Sequence, residues 1–434
     1  MKSEVVNTPG SEATGTTLLV VGGGIAGMTA ALEAAECGRQ VVLVERGPTL
    51  GGRTAMLYRY FPKMCHPTCG LEINLRRLRA NRNVRVLTMA EVTAVAGRAG
   101  HYEVTLRQRP RYVNANCTAC GDCGRAVGAR IPNPFNYGLD EIPAAYLPHG
   151  LAHPQRYVID PSIVGTPEGQ KARDACRFGA VDLDMREETV RLSVGAVIWA
   201  TGWKPYDAAR IQPYGYGRIP NVVTSLEFER LADPAGPTGG RLLRPSDGKP
   251  AKNIAFIQCA GSRDENHLRH CSRICCMATL KQTRYVREAD AQARSTVYYI
   301  DIRAIDRLED FNAMVHADPN VSFVKSKVAR IALDEASGNP VLHGVDTEGY
   351  HRYANAHDLV VLAIGMQPET DGIALPEDIV RDSSGFIEGS ASGGQFAAGS
   401  ASGPLDVNRS VQSATAAALH GIQVIHRARR AERQ

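Results

Sequence analysis

The stretch TLLVVGGGIAGMTAALEAAECGRQVVLVER, residues 17–46, decides the fold. Its opening Val/Leu run, 17–21, has no polar alternation and predicts a strand buried on both faces, as in a parallel sheet. The run meets Gly22-Gly23-Gly24-Ile25-Ala26-Gly27, followed by a helical stretch over 28–37 and a second strand over 40–44. Gly22, Gly24 and Gly27 fit a G-x-G-x-x-G turn. The first glycine makes the turn, the second admits a pyrophosphate, and the third lets helix and strand pack closely. The helix N-terminus offers unpaired N–H groups to phosphate. Glu45 ends the second strand, where an acid can bond ribose hydroxyls. The stretch therefore predicts a βαβ dinucleotide-binding unit.

Around it, 434 residues call for two or three domains. The chain is 44% hydrophobic and 22% charged, ordinary for a globular protein. Its net charge of +5 is spread along the sequence rather than gathered in a basic stripe, which argues against a nucleic-acid binder. Residues 1–15 are polar, lack the apolar core of a signal peptide and read as a flexible tail. No apolar run is long enough to span a bilayer. A cytoplasmic protein with no direct membrane span is expected, so the 11 cysteines read as ligands rather than disulfides. No serine–histidine–acid triad, Walker loop or paired carboxylates stand out, and no general acid or base is named.

Leu50-Gly51-Gly52-Arg53 resembles the Gly-Gly turn that follows the ribose acid in glutathione-reductase-like flavoproteins. Val197-Ile198-Trp199-Ala200-Thr201-Gly202 with Pro205 resembles their A-T-G strand. Gln395-Phe396-Ala397-Ala398-Gly399 resembles their final flavin-side strand, with Ser400 in place of the usual acid. A long helix from about 407 to 426 closes the fold. The resemblance implies FAD, held by Gly22, Gly24, Ala26, Gly27, Glu45, Arg46, Gly52, Arg53, Val92, Ala200, Thr201, Gly202, Gly399 and Ser400. A second βαβ unit follows: a strand over 253–258, a helix over 274–289 and a strand over 296–302. Returning strands are expected over 321–332, 341–346 and 358–364. In thioredoxin-reductase-like enzymes this second domain binds NAD(P)H through a glycine-rich turn. Here that place reads Cys259-Ala260-Gly261-Ser262-Arg263, without the fingerprint.

Cys259 with Cys271, Cys275 and Cys276 makes a C-x11-C-x3-C-C pattern at the end of a strand and the start of a helix. Four thiolates there suit a 4Fe–4S cube. Buried free cysteines and a four-cysteine zinc site are the competing readings, though zinc favours closer-spaced pairs. Phe256 to Arg263, His270 to Met277 and Ala397 to Pro404 resemble the heterodisulfide reductase A-subunit family. The similarity includes the short homologues of sulfur-oxidising complexes and of quinone-interacting oxidoreductases. The resemblance implies that Cys259, Cys271, Cys275 and Cys276 bind a cluster. It also implies partner subunits that carry clusters or a disulfide-handling site, in sulfur metabolism, and a homodimer.

Cys117-Thr118-Ala119-Cys120-Gly121-Asp122-Cys123 is a ferredoxin-like C-x2-C-x2-C, and Cys176 looks like its distant fourth ligand. Val127 and Arg173 stand where a second cluster's ligands would be, so at most one cube is expected here; a vestigial domain without any is the alternative. Residues 132–161 read as an ordered extended loop. Cys65 and Cys69 could be a redox pair facing the flavin, cluster ligands or a structural loop, with Pro67 preventing a regular helix. Cys37 reads as a core residue of the first helix.

The expected layout is α/β, two thioredoxin/glutathione-reductase-like Rossmann domains with a small ferredoxin-like insertion. The FAD domain takes 16–110, 190–250 and 370–434, the insertion 111–189, and a degenerate NAD-type domain with a cluster 251–369. FAD with one or two 4Fe–4S clusters makes an electron-transfer oxidoreductase subunit the leading function. A self-contained pyridine-nucleotide disulfide reductase using Cys65 and Cys69, or a redox-inactive cofactor-bearing scaffold, are the alternatives.

Overall fold

A computed structural model describes residues 16–370 and 372–432; the tail expected over 1–15 lies outside the described residues. The chain forms two compact units. Among the described residues, one draws on 16–55, 68–203 and the stretch from 368 to 432, the other on 56–67 and 204–367.

In the first unit the Leu18–Val21 strand is buried throughout because both its faces are covered. Leu18 and Val20 enter one apolar layer with Met28 and Leu32 of the Ile25–Glu36 helix and with Ala414, Ala417 and Ile425 of the Val407–Glu432 helix. Leu19 and Val21 enter another with Tyr102, Val104, Leu106 and Trp199. Each such side chain contributes roughly 1.5–3 kcal/mol on burial. The strand is the centre of a parallel sheet ordered Gln395–Ala397, Ala196–Trp199, Leu18–Val21, Val41–Glu45, Val84–Thr88. An antiparallel meander of Ala90–Arg98, His101–Gln108 and Glu188–Val194 supplies the second apolar layer.

The second unit repeats this plan. Its parallel sheet runs Val222–Thr224, Leu359–Ile364, Asn253–Ala260, Arg294–Tyr299, Val321–Lys325. Its meander is Arg330–Asp334, Asn339–Asp346 and His351–Ala356. The expected α/β class with two dinucleotide-binding domains is borne out.

The insertion leaves the first unit's meander between two paired strands: Gln108 stands opposite Glu188. It has its own small core, including Val113, Val127, Ala144, Ile159, Ile163 and Val181. Within 132–161 the backbone makes short extended pairs, Arg130–Pro132 with Glu141–Pro143 and Ala145–Tyr146 with Val158–Ile159.

Several local expectations need correction. The first helix begins at Ile25, not at 28, because Gly24 is still extended and serves as its N-cap. Cys37 is exposed rather than core; it follows the last helical residue and falls off the buried stripe. Pro67 does not prevent a helix. One begins at the next residue, Thr68–Ala80, since a proline ahead of the first turn removes no helical hydrogen bond. The strand expected over 321–332 is two, Val321–Lys325 and Arg330–Asp334, which belong to different sheets. Residues 204–250, expected in the first domain, fold into the second unit, whose sheet edge is Val222–Thr224.

Candidate functional site

Strand, turn and helix meet at backbone distance around the glycines of the first unit. A Cβ at Gly27 would lie 1.7 Å from Gly22 O, and one at Gly22, where φ is 110°, would lie 2.2 Å from Ala200 O. Gly51 N donates to Gly23 O at 2.9 Å, which sets the second glycine turn against the first. A Cβ on Gly52 would then stand 2.9 Å from Gly24 Cα, so no side chain separates the two turns. The helix behind them has no side-chain cap, leaving its first N–H groups for an anion.

Glu45 accepts from Gly23 N and Gly47 N, both at 2.6 Å. Burial nevertheless pushes its pKa above the ordinary carboxylate range. Gly399, at φ 62°, packs so closely on Ala26 that a Cβ would meet that residue's Cβ at 2.5 Å. Thr201 Oγ1 is buried and unpartnered. Ser400 turns its hydroxyl onto Leu405 O at 3.4 Å. Arg46 and Arg53 converge on Glu369, at 3.4 and 3.9 Å, and Glu369 N donates to Gly202 O. Val92 lies apart, in the apolar layer beneath the meander. Two facing glycine turns, a ribose-type acid and an orphaned buried hydroxyl fit a bound dinucleotide such as FAD.

In the insertion, Cys117, Cys120, Cys123 and Cys176 line one pocket, with Tyr157 and Phe178 among its walls. The left-handed Ala119 (φ 58°) and Gly121 (φ 86°) wrap the chain around it. Ala119 N donates to Cys117 Sγ at 3.4 Å and Ala180 N to Cys176 Sγ at 3.3 Å. The Cys123 thiol is pushed up to about 11 by burial, against a backbone N–H from Gly124 and with the other three thiols adding to the rise.

In the second unit, Cys259, next to last in its strand, stands at φ 56°, followed by Gly261 at 73° and Arg263 at 55°; Arg273 stands at 60° ahead of the Cys275–Ala289 helix. These left-handed residues take the place of the glycine turn. Arg273 N donates to Cys271 Sγ at 3.3 Å. Burial pushes the Cys259 thiol up to about 11, against the nearby guanidinium of Arg263, which itself pairs with Asp301 at 2.9 Å. The adjacent Cys276 raises the Cys275 thiol well above its ordinary range, burial adding to the rise, while Cys275 in turn lowers Cys276. Both neighbouring thiols, Cys259 and Cys271, act electrostatically on Cys275. Among the described residues no three His, Cys, Asp or Glu side chains are arranged to hold a metal ion. A tetrahedral zinc site needs its ligands converged on one point, whereas a cube takes one thiolate per iron around a void. The insertion set lines one such void.

Residues 17–68 match the family model described as FAD dependent oxidoreductase. Two thioredoxin reductases share the fold. That of T. acidophilum has a TM-score of 0.51 at 13% identity, covering 94% of this chain and 98% of that one. That of Lactococcus lactis has 0.50 at 14%, covering 95% and 99%. Sequence similarity runs higher with the A-subunit of the ferredoxin:CoB-CoM heterodisulfide reductase of Methanosarcina mazei, 37% identical over 424 residues. The iron-sulfur A-subunit of the CoB–CoM heterodisulfide reductase of Methanocaldococcus jannaschii is 37% identical over 417. The chain is similar over most of its own length to these heterodisulfide reductase A-subunits. It spans 53% and 63% of those two relatives, with 94% and 92% of its own length aligned.

Cys65 and Cys69 are both exposed free thiols. Cys65 sits in the 56–67 segment of the second unit and Cys69 in the first turn of the Thr68–Ala80 helix. What the sequence did not disclose is how the 56–67 segment is held. Glu229, 2% exposed, accepts from Lys281 Nζ at 2.8 Å, Gln282 Nε2 at 2.6 Å, Tyr285 OH at 3.0 Å and Tyr58 N at 3.0 Å. Lys281 Nζ also donates to Arg59 O at 2.8 Å, and Arg230 Nη1 to Met56 O at 3.2 Å. Nothing in the sequence pattern marks these charges as buried. No helix among the described residues is long and apolar enough to cross a membrane.

Proposed function

We propose that this chain is an FAD- and iron–sulfur-bearing electron-transfer subunit of a heterodisulfide-reductase-like complex. The observation that carries the reading is the insertion pocket, where four cysteines line one void and two of them, Cys117 and Cys176, accept backbone N–H groups. When bound, FAD exchanges an electron pair and iron–sulfur cubes exchange single electrons, which together couple two-electron to one-electron chemistry.

The chain's own residues do the holding. The Gly22–Gly27 and Gly51–Gly52 turns would cradle the pyrophosphate, Glu45 the ribose, and Thr201 offers a free hydroxyl. Cys117, Cys120, Cys123 and Cys176 would hold one cube; Cys259, Cys271, Cys275 and Cys276 would hold another. Residues 111–189 are then a ferredoxin-like module, and residues 251–369 an NAD-type domain that has exchanged its nicotinamide turn for thiolates. The relatives' names attach the A-subunit to the reduction of a CoB–CoM heterodisulfide. Carried over, they support work beside cluster-bearing partners in sulfur metabolism. Eleven free thiols support a reducing, cytoplasmic setting, and a homodimer completes the reading.

The test is non-haem iron and acid-labile sulfide per FAD in anaerobically purified protein. About eight irons per flavin support both cubes, four each. About four leave one site, which Cys123→Ser and Cys276→Ala then distinguish. No iron, with flavin present, rejects the electron-relay reading.

A further inference from the structure

Arg111 enters the insertion as a buried cation, 7% exposed. Its guanidinium donates to three neutral oxygens: Pro48 O, Thr88 Oγ1 at 2.9 Å and Arg156 O at 3.2 Å. No carboxylate is among those partners. Removing a cation from water without a counter-ion costs several kcal/mol, and fixed dipoles recover only part of it. Burial pulls its pKa down to about 10, with Arg156 adding to the fall, while Tyr146 and Cys117 act in the opposite sense. Arg111 thus stands as a fixed buried positive charge with no carboxylate partner among the described residues.

The backbone leads from it to the cysteine pocket. Val113, two residues along, bridges Val181 and lines the same pocket as Cys117, Cys120, Cys123 and Cys176. On its other side Arg111 grips Pro48, in the short loop between the ribose-type acid Glu45 and the second glycine turn. We propose that Arg111 is the built-in counter-charge of an iron–sulfur cube at Cys117, Cys120, Cys123 and Cys176, favouring its reduced state. This rests on the cluster reading above. Reduction adds one negative charge to a group already surrounded by four thiolates, and a fixed cation in a low-dielectric interior lowers the cost of that charge. Arg111 acts through the field and touches no substrate; it is a positioning and tuning residue.

The experiment is an EPR-monitored redox titration of the full-length, anaerobically purified protein, with iron counted on each sample. The signal that disappears in Cys123→Ser assigns the cube. In Arg111→Met the ratio of reduced to oxidised cube at the wild-type midpoint should fall about tenfold, a shift of ~59 mV for a one-electron couple. Arg111→Lys, which keeps the charge, should stay near wild type. Should the Met protein not fold, Arg111→Gln keeps donors without charge and should fall similarly. An unmoved midpoint in Met or Gln with iron retained overturns the proposal, as does a Lys variant that falls as far as Met. Wild-type protein with no iron at Cys123 rejects the cluster reading itself and leaves Arg111 with no anion to balance.

Discussion

At the residue scale, His357 is a buried histidine with both ring nitrogens engaged, Nδ1 to Asn253 Oδ1 and Nε2 to Tyr298 OH, each at 3.0 Å. Asn253 Oδ1 can only accept, so Nδ1 carries the proton, Nε2 accepts from the tyrosine, and the neutral ring is the one that fits. Burial lowers its pKa to about 4. The unfolded chain therefore takes up a proton between pH 6.5 and 4 that the folded chain refuses. Stability falls as pH drops through that window, by about 3 kcal/mol in all, and no further from this group below pH 4. Denaturant unfolding against pH checks this: His357→Asn should flatten that part of the profile, and an unchanged slope rejects it. Gly27 makes a second residue-scale case. With Gly22 O 1.7 Å from where a Cβ would sit, Gly27→Ala should lose bound FAD and cost on the order of 3 kcal/mol. Flavin absorbance per protein, read beside a melt, measures both. Gly27 was legible in the sequence because its spacing has a single geometric cause. His357 was not, since one histidine among twelve carries no mark of burial until its neighbours are placed.

The Cys275–Ala289 helix serves two ends at the element scale. Its first turn carries Cys275 and Cys276, and further along it holds Lys281 against Glu229, at 3% and 2% side-chain exposure. Removing one partner of such a pair leaves a bare buried charge, so Lys281→Met should cost about 3–5 kcal/mol in denaturant unfolding. Adding Glu229→Gln should recover part of it, because it removes the bare charge; no recovery would show that packing, not charge, governs the site. Apolar runs such as 17–21 and 359–364 announced their strands because both faces are covered. The strand boundary at Ser326 was hidden because Val321–Lys325 and Arg330–Asp334 are each only partly buried and both mix apolar with charged residues. The Thr68–Ala80 helix was masked by Pro67, whose effect depends on falling before rather than within the first turn.

At the scale of the whole molecule, the insertion is the length of a hairpin turn as far as the meander is concerned, since Gln108 and Glu188 are direct partners. Replacing residues 109–187 by an Asn-Gly turn should keep FAD and the cysteine set at 259–276 while removing about four irons per chain. Loss of flavin together with iron would mean that the insertion supports the dinucleotide turn as well. NAD(P)H alone should leave the flavin oxidised in a rapid-mixing assay, because the second unit has cysteines where a nicotinamide turn would be. Rapid bleaching would contradict that. The interleaving of the units also bears on how the chain is made. The first unit contains the N-terminal strand yet waits for its edge strand, Gln395–Ala397, and its closing helix, Val407–Glu432. Every segment of the second unit is synthesised by residue 367. On the ribosome, the domain that begins first is completed last, and its half-built sheet must be kept from aggregating while its neighbour is translated.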